Sequence, residues 1–285
     1  MRCTHPVVIN PDPARYPYGL RVPCGKCVQC KIHRREEWTI RLQHELQSWD
    51  SALFLTLTYR DHPGTLRKRD VQLWLKRLRK VISPRKVKYY ICGEYGDQYG
   101  RPHYHAIMYG LGVGDSDVVC DTWYHGMVHV GSVTRDSIRY VAQYIDTVYG
   151  GDMADVVYAD RVVPWAVMSK GLGRKHALSQ RDQYVEYGYL TDRGVKHGLP
   201  RYYLSVLGLT DDELARIKDK VVDREVEQMY DYIGVHMSRD EIMAMYPASI
   251  VADVLRAEVI EANQCESNVK ARMRISADRK RKRKF

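Results

Sequence analysis

Three short stretches of strict alternation constrain this chain most. Ala52-Leu53-Phe54-Leu55-Thr56-Leu57-Thr58-Tyr59, Val87 to Glu94 and His103 to Tyr109 each repeat with a period of two. That period belongs to a strand, whose side chains point alternately to opposite faces. Leu53, Leu55 and Leu57, with Val87, Tyr89 and Ile91 and with Tyr104, Ala106 and Met108, form one largely apolar set. Thr56, Thr58, Lys88, Cys92, Glu94, His103 and His105 form the opposite set. One sheet face is therefore expected to pack on helices and the other to carry polar chemistry. Phe54 and Ile107 depart mildly from the pattern.

Helical periods alternate with these strands. Val71, Trp74, Leu75, Leu78 and Ile82 form an apolar stripe over 70–82, with Lys76, Arg77, Arg79 and Lys80 largely off it. Earlier, Trp38, Leu42, Leu46 and Trp49 predict a helix over 36–49. A short helix over 116–123, a strand over 127–133 and a helix over 135–148, N-capped by Thr134, follow. The order β-α-β-β-α-β plus a helix is α+β in class, an α/β sandwich with a ferredoxin-like antiparallel sheet and flanking helices. The expected divisions are a cysteine-rich segment with a helix (1–50), the sheet core (51–150), a basic glycine-containing extension (151–209) and a helical C-terminal region with a basic tail (210–285). Capping boxes at Thr210-x-x-Glu213 and Ser238-x-x-Glu241 open two helices of the last region.

The polar face concentrates the chemistry. His103 and His105 lie two residues apart on one strand, roughly 7 Å along the backbone, so both imidazoles share a face. Glu94, nine residues earlier and near the end of the adjoining strand, adds a carboxylate on the same face. Two imidazoles and one carboxylate can hold a divalent metal with positions left open. A pair of surface histidines beside a solvated turn glutamate is the bland alternative.

In the last helix Tyr140 and Tyr144 are spaced i, i+4 and share a face. At ~100° per residue, Ile138, Val141, Ala142, Ile145, Val148 and Tyr149 cluster on one side, well away from both phenols. Tyr140 and Tyr144 are therefore expected to face a cleft or solvent.

Charge and cysteines bound the setting. A net charge of +10 calls for an anionic partner, nucleic acid or a membrane surface. No run is long and apolar enough to span a membrane, and the N-terminus lacks a signal-peptide core, so the expected place is a cytosol. There the seven cysteines are thiols or metal ligands rather than disulfides. Cys24-x-x-Cys27-x-x-Cys30, with Cys3 upstream, offers four thiolates for a structural zinc, for an iron–sulfur cluster or for no metal. Ser169-Lys170-Gly171-Leu172-Gly173-Arg174-Lys175 is a basic glycine-rich loop, either a phosphate cradle with Lys170, Arg174 and Lys175 at DNA or a plain turn. The tail Arg279-Lys280-Arg281-Lys282-Arg283-Lys284 suits non-specific polyanion contact.

Taken together the motifs resemble those of HUH endonucleases, the rolling-circle replication initiators. Phe54-Leu55-Thr56-Leu57-Thr58 resembles their first motif, His103-Tyr104-His105 their second, and Tyr140-Val141-Ala142-Gln143-Tyr144 their third in its two-tyrosine form. With Cys24-Gly25-Lys26-Cys27-Val28-Gln29-Cys30 and Ser169-Lys170-Gly171-Leu172-Gly173, the chain is more narrowly similar to the initiators of gokushoviruses, small single-stranded DNA phages. The resemblance implies Mg²⁺ or Mn²⁺ held by His103, His105 and Glu94, and a tyrosine nucleophile that leaves a 5′-phosphotyrosine and a free 3′-OH. It also implies a single-stranded DNA origin, a host helicase and polymerase as partners, and a bacterial cytoplasm. The alternatives are a two-tyrosine transposase or relaxase, a metal-dependent hydrolase using water, and a non-catalytic metal-containing nucleic-acid-binding protein.

Overall fold

The structure, a computed structural model, describes residues 3–10, 20–96, 98–148 and 152–233. The second capping box, Tyr149 and the basic tail lie outside the described residues. Two compact units divide the chain. One comprises 30–181 and 200–208, and the other gathers 1–29, 182–199 and 209–285.

In chain order the elements begin with β1 (Val7–Ile9), β2 (Leu20–Val22), α1 (Val28–Leu46), β3 (Ala52–Thr58) and α2 (Lys68–Ile82). Then come β4 (Lys88–Tyr95), β5 (Pro102–Tyr109), α3 (Ser116–Thr122), β6 (Val128–Ser132) and α4 (Arg135–Thr147). After these follow α5 (Asp152–Tyr158), β7 (Trp165–Met168), α6 (Arg174–Ser179), α7 (Arg181–Tyr187), β8 (Tyr189–Asp192), β9 (Val195–Gly198), α8 (Arg201–Val206) and α9 (Asp211–Ile233).

The larger unit is built on one sheet in the order β6-β3-β5-β4-β7. Every neighbouring pair in it is antiparallel. Its first four strands have the split β-α-β-β-α-β arrangement that the sequence predicts. The fifth, β7, adds at the outer edge of β4, pairing Tyr90 with Met168 and Gly93 with Trp165. The apolar set packs as expected. Leu53, Leu55, Leu57, Ile91, Tyr104, Ala106 and Met108 meet Val71, Trp74, Leu75, Leu78 and Ile82 of α2, closed by Val119 and Trp123.

The opposite face departs from the expectation that it is polar throughout. Tyr90, Cys92, Ile107 and Tyr109 form a second apolar cluster there with Leu42, Ile138, Val141, Tyr144 and Leu172. Phe54 packs against its edge. Thus α1 and α4 cover that face, and the residues that break the alternation are those it buries. Polar chemistry is confined to the end where β4 finishes and β5 begins. The helix α1 also starts earlier than Glu36, because its first turns carry Lys31, Arg34 and Arg35, whose charge hides the period.

A buried ion pair fastens the glycine-rich loop to this core. Glu45, 1% exposed, pairs with Lys88 at 2.8 Å and accepts the Gly173 N–H at 2.8 Å. The Leu172 carbonyl accepts from Arg41 Nε and Nη2 at 3.3 and 3.2 Å. Lys88 Nζ reaches the Gly171 carbonyl at 3.3 Å. Gly173 has φ +78, and a Cβ there would stand 2.6 Å from the Tyr203 hydroxyl oxygen and 3.1 Å from the Arg41 carbonyl oxygen. The Gly173 N–H is thus already used by Glu45, and this part of the loop is a pinned turn. Lys170, Arg174 and Lys175 stand exposed around it.

In the smaller unit β1 pairs with β2 and β8 with β9. Lys196 and Arg224 of α9 approach the Tyr189 ring at 4.9 and 5.3 Å from its centroid. Thr210 and Glu213 complete the expected capping box, each side chain taking the other's backbone N–H. No helix among the described residues is long and apolar enough to cross a membrane.

Candidate metal centre

Register places the three predicted ligands. In the β4–β5 ladder Glu94 lies directly opposite His103, and Cys92 opposite His105. Paired residues share a face, so Glu94 joins both imidazoles. Glu94 Oε1 stands 2.8 Å from His105 Nε2 and 3.1 Å from His103 Nε2. One ligand atom from each lies within 4.8 Å of the others.

The far side of each imidazole is fixed. His103 Nδ1 donates to the Arg101 carbonyl at 3.1 Å. A carbonyl only accepts, so the proton sits on Nδ1 and Nε2 is left as the ligand atom of the neutral ring. His105 Nδ1 meets the Thr56 hydroxyl at 3.0 Å, across the β3–β5 ladder where Thr56 pairs with His105. Phe54 stacks on the His105 ring, with centroids 5.7 Å apart and planes 10° apart. Burial pushes the Glu94 carboxyl upward, but hydrogen bonds from His103 and His105 outweigh it and hold Glu94 below the usual carboxylate range.

The donor set suits a divalent cation. Ligand atoms at ~2.1 Å from an octahedral ion are about 3 Å from their neighbours, close to the separations of Glu94 from both histidines. One carboxylate and two imidazoles also leave positions for substrate oxygens.

Tyr140 reaches this group and Tyr144 does not. The Tyr140 hydroxyl donates to Glu94 Oε1 at 3.0 Å and stands 3.3 Å from His105 Nε2. Its ring is edge-on to His105 at 4.9 Å and 47% exposed. Tyr144 is 5% exposed and part of the second apolar cluster, which corrects the expectation that both phenols face a cleft or solvent. A single stripe centred on Val141 misses this burial, because α4 is enclosed from two directions. Tyr90 and Cys92 of β4 and Tyr158 of α5 all neighbour Tyr144. Burial pushes its phenol well above the ordinary tyrosine value.

Two roles escape the sequence reading. Thr56 stands in the polar set, but only the strand register shows that it orients His105. Phe54 reads as a break in the pattern and is the wall behind the same ring. The cysteines come together as a second group: the thiols of Cys3, Cys24 and Cys27 are joined by Cys30 on the first turn of α1.

Comparison with known proteins agrees with this site. The family model for the phage replication-associated protein ORF2 matches residues 52–148, the span from β3 through α4. The replication-associated protein VP4 of Bdellovibrio phage phiMH2K is 32% identical over 211 residues, covering 64% of this chain and 65% of that protein. The replication-associated protein ORF2 of Spiroplasma virus 4 is 29% identical over 236 residues, with 68% and 72% covered. The replication-associated protein ORF4 of Chlamydia phage 1 is 28% identical over 217 residues, with 67% and 54% covered. The alignment thus spans just under two thirds of the Bdellovibrio phage protein and about half of the chlamydial phage protein. No solved structure matches. The chain belongs to the replication-associated protein family that the ORF2 model describes, with residues 52–148 as the shared domain.

Proposed function

We propose that this chain initiates rolling-circle replication by nicking a single-stranded DNA origin, with Tyr140 as the first nucleophile. The observation that carries the reading is the Tyr140 hydroxyl, held at 3.0 Å from Glu94 and 3.3 Å from His105 within the predicted ligand group. A phenol that reacts with a phosphodiester must lie beside whatever neutralises the phosphate, and Tyr140 does. The resemblance in three ordered motifs and the names of the phage relatives support the same reading.

Glu94, His103 and His105 would hold Mg²⁺ or Mn²⁺, which when bound polarises the scissile phosphate and balances developing charge. Tyr140 attacks phosphorus in line. Its Oη–P bond forms as the bond from phosphorus to the 3′ oxygen breaks. The phenol proton leaves through Glu94 or solvent, and the 3′ oxygen takes up a proton. The products are a 5′-phosphotyrosine and a free 3′-OH that a host polymerase extends, downstream of a host helicase. The covalent link keeps the phosphodiester energy, so rejoining needs no nucleotide cofactor. Tyr144 serves the second transfer in this scheme, and its burial requires α4 to shift before that step. Lys170, Arg174 and Lys175, exposed beside the pinned turn, supply phosphate contacts.

The test uses a single-stranded oligonucleotide labelled either in the half downstream of the nick or in the half upstream of it. With Mn²⁺, the downstream label is expected on a protein band that survives boiling in detergent. The upstream fragment is expected to be extendable by a polymerase. Chelator, His103→Ala or His105→Ala removes both. Cleavage with no covalent species would favour the water-using hydrolase and refute the proposal.

A further inference from the structure

The group at the N-terminal end has chemistry of its own, apart from DNA cleavage. The thiols of Cys3, Cys24 and Cys27, with Cys30 on the first turn of α1, all lie within 4.8 Å of one another. Cys27 Sγ is 3.7 Å from Cys3 Sγ, far beyond a disulfide bond. Four sulfurs at ~2.3 Å from one tetrahedral ion stand about 3.8 Å apart, close to that separation. A multi-iron cluster puts irons and sulfides between its cysteines and spreads their sulfurs wider.

The backbone is arranged for thiolates. Cys24 Sγ accepts the N–H groups of Lys26 at 3.4 Å and Cys27 at 3.3 Å. Cys3 Sγ accepts the Cys24 N–H at 3.2 Å. Gly25, at φ +72, makes the tight turn that aims two consecutive N–H groups at one sulfur. N–H donors gathered on sulfur stabilise the charged form a metal requires.

A second observation concerns what this group holds. The strands β1 and β2 are three residues each, and they form a sheet of their own. Val7, Val8 and Ile9 are 49%, 56% and 41% exposed, so β1 has no core beneath it. A two-stranded sheet this short is marginal in water and calls for a covalent or metal staple. Cys3 precedes β1 and Cys24 follows β2, so the thiols close the base of this strand pair.

We propose that Cys3, Cys24, Cys27 and Cys30 bind one mononuclear zinc ion as tetrathiolate ligands, and that this ion holds the β1–β2 pair together. The full chain, purified without added metal and passed over a chelating resin, tests this. A mercurial releases thiolate-bound zinc and pyridylazoresorcinol measures it. One zinc per chain is expected in the parent and in His103→Ala/His105→Ala, which lacks the other candidate metal group. None is expected in Cys24→Ser/Cys27→Ser. Because that variant can lose its fold, the histidine double variant is also loaded with cobalt. Intense d–d bands and thiolate-to-cobalt charge transfer of a tetrahedral site are expected. A weak octahedral spectrum overturns the proposal. Iron with acid-labile sulfide overturns the mononuclear assignment. Freely titrating thiols with no metal overturn the site altogether.

Discussion

Thr56 is not among the expected ligands, yet it decides which way His105 points. Its hydroxyl lies 3.0 Å from His105 Nδ1 and its strand position is fixed by pairing with His105. Thr56→Val keeps the shape and removes the partner. Metal affinity of the Glu94 group, measured by calorimetry, is expected to fall about tenfold to a hundredfold while thermal unfolding stays near the parent. Tyr144 provides the contrasting case. It packs among Tyr90 and Cys92, so Tyr144→Ala is expected to cost about 3–5 kcal/mol in urea unfolding, as truncation of a buried aromatic does. Tyr144→Phe is expected to stay folded and to form the first covalent adduct at close to the parental level. The two histidines and Glu94 were legible from period-two spacing, because strand geometry alone puts them on one face. The burial of Tyr144 was not, because a helical wheel assumes one buried side and α4 has neighbours on two.

Elements decide how much of the fold a local pattern can reveal. The strands β3, β4 and β5, with α2 between them, were legible because each has one deeply buried side and alternates or repeats cleanly. The edge strand β7 is four residues of intermediate burial, too short and too evenly half-exposed to show a period. The glycine-rich turn read equally well as a phosphate cradle, since glycines serve both. What separates the two is Glu45, 128 residues away in sequence, whose carboxylate takes the Gly173 N–H. Removing that carboxylate by Glu45→Ala strands Lys88 and the Gly173 N–H. Loss of one partner of a buried ion pair is expected to cost about 3–5 kcal/mol, read as a lowered urea midpoint. If Glu45→Ala unfolds at the parental midpoint, the turn is not held by this pair.

For the whole molecule, binding and cutting are separable. The chain carries a net charge of +10, a source of phosphate contacts that does not depend on the Glu94 group. Affinity for single-stranded DNA is expected to fall steeply with salt, with a logarithmic slope of about −0.7 per phosphate neutralised. His103→Ala/His105→Ala is expected to keep that slope and lose cleavage, as followed by fluorescence anisotropy and a cleavage gel. A slope halved in the double variant would mean that the metal site is itself the main phosphate contact. The central claim is narrower: one phenol, Tyr140, makes the first covalent bond to DNA. Its most direct test is mass spectrometry of the nuclease-trimmed, protease-digested adduct, with the residue that carries the nucleotide located by fragmentation. The nucleotide is expected on Tyr140, and Tyr140→Phe is expected to yield no adduct. A nucleotide on Tyr144, or an undiminished adduct in Tyr140→Phe, would contradict it.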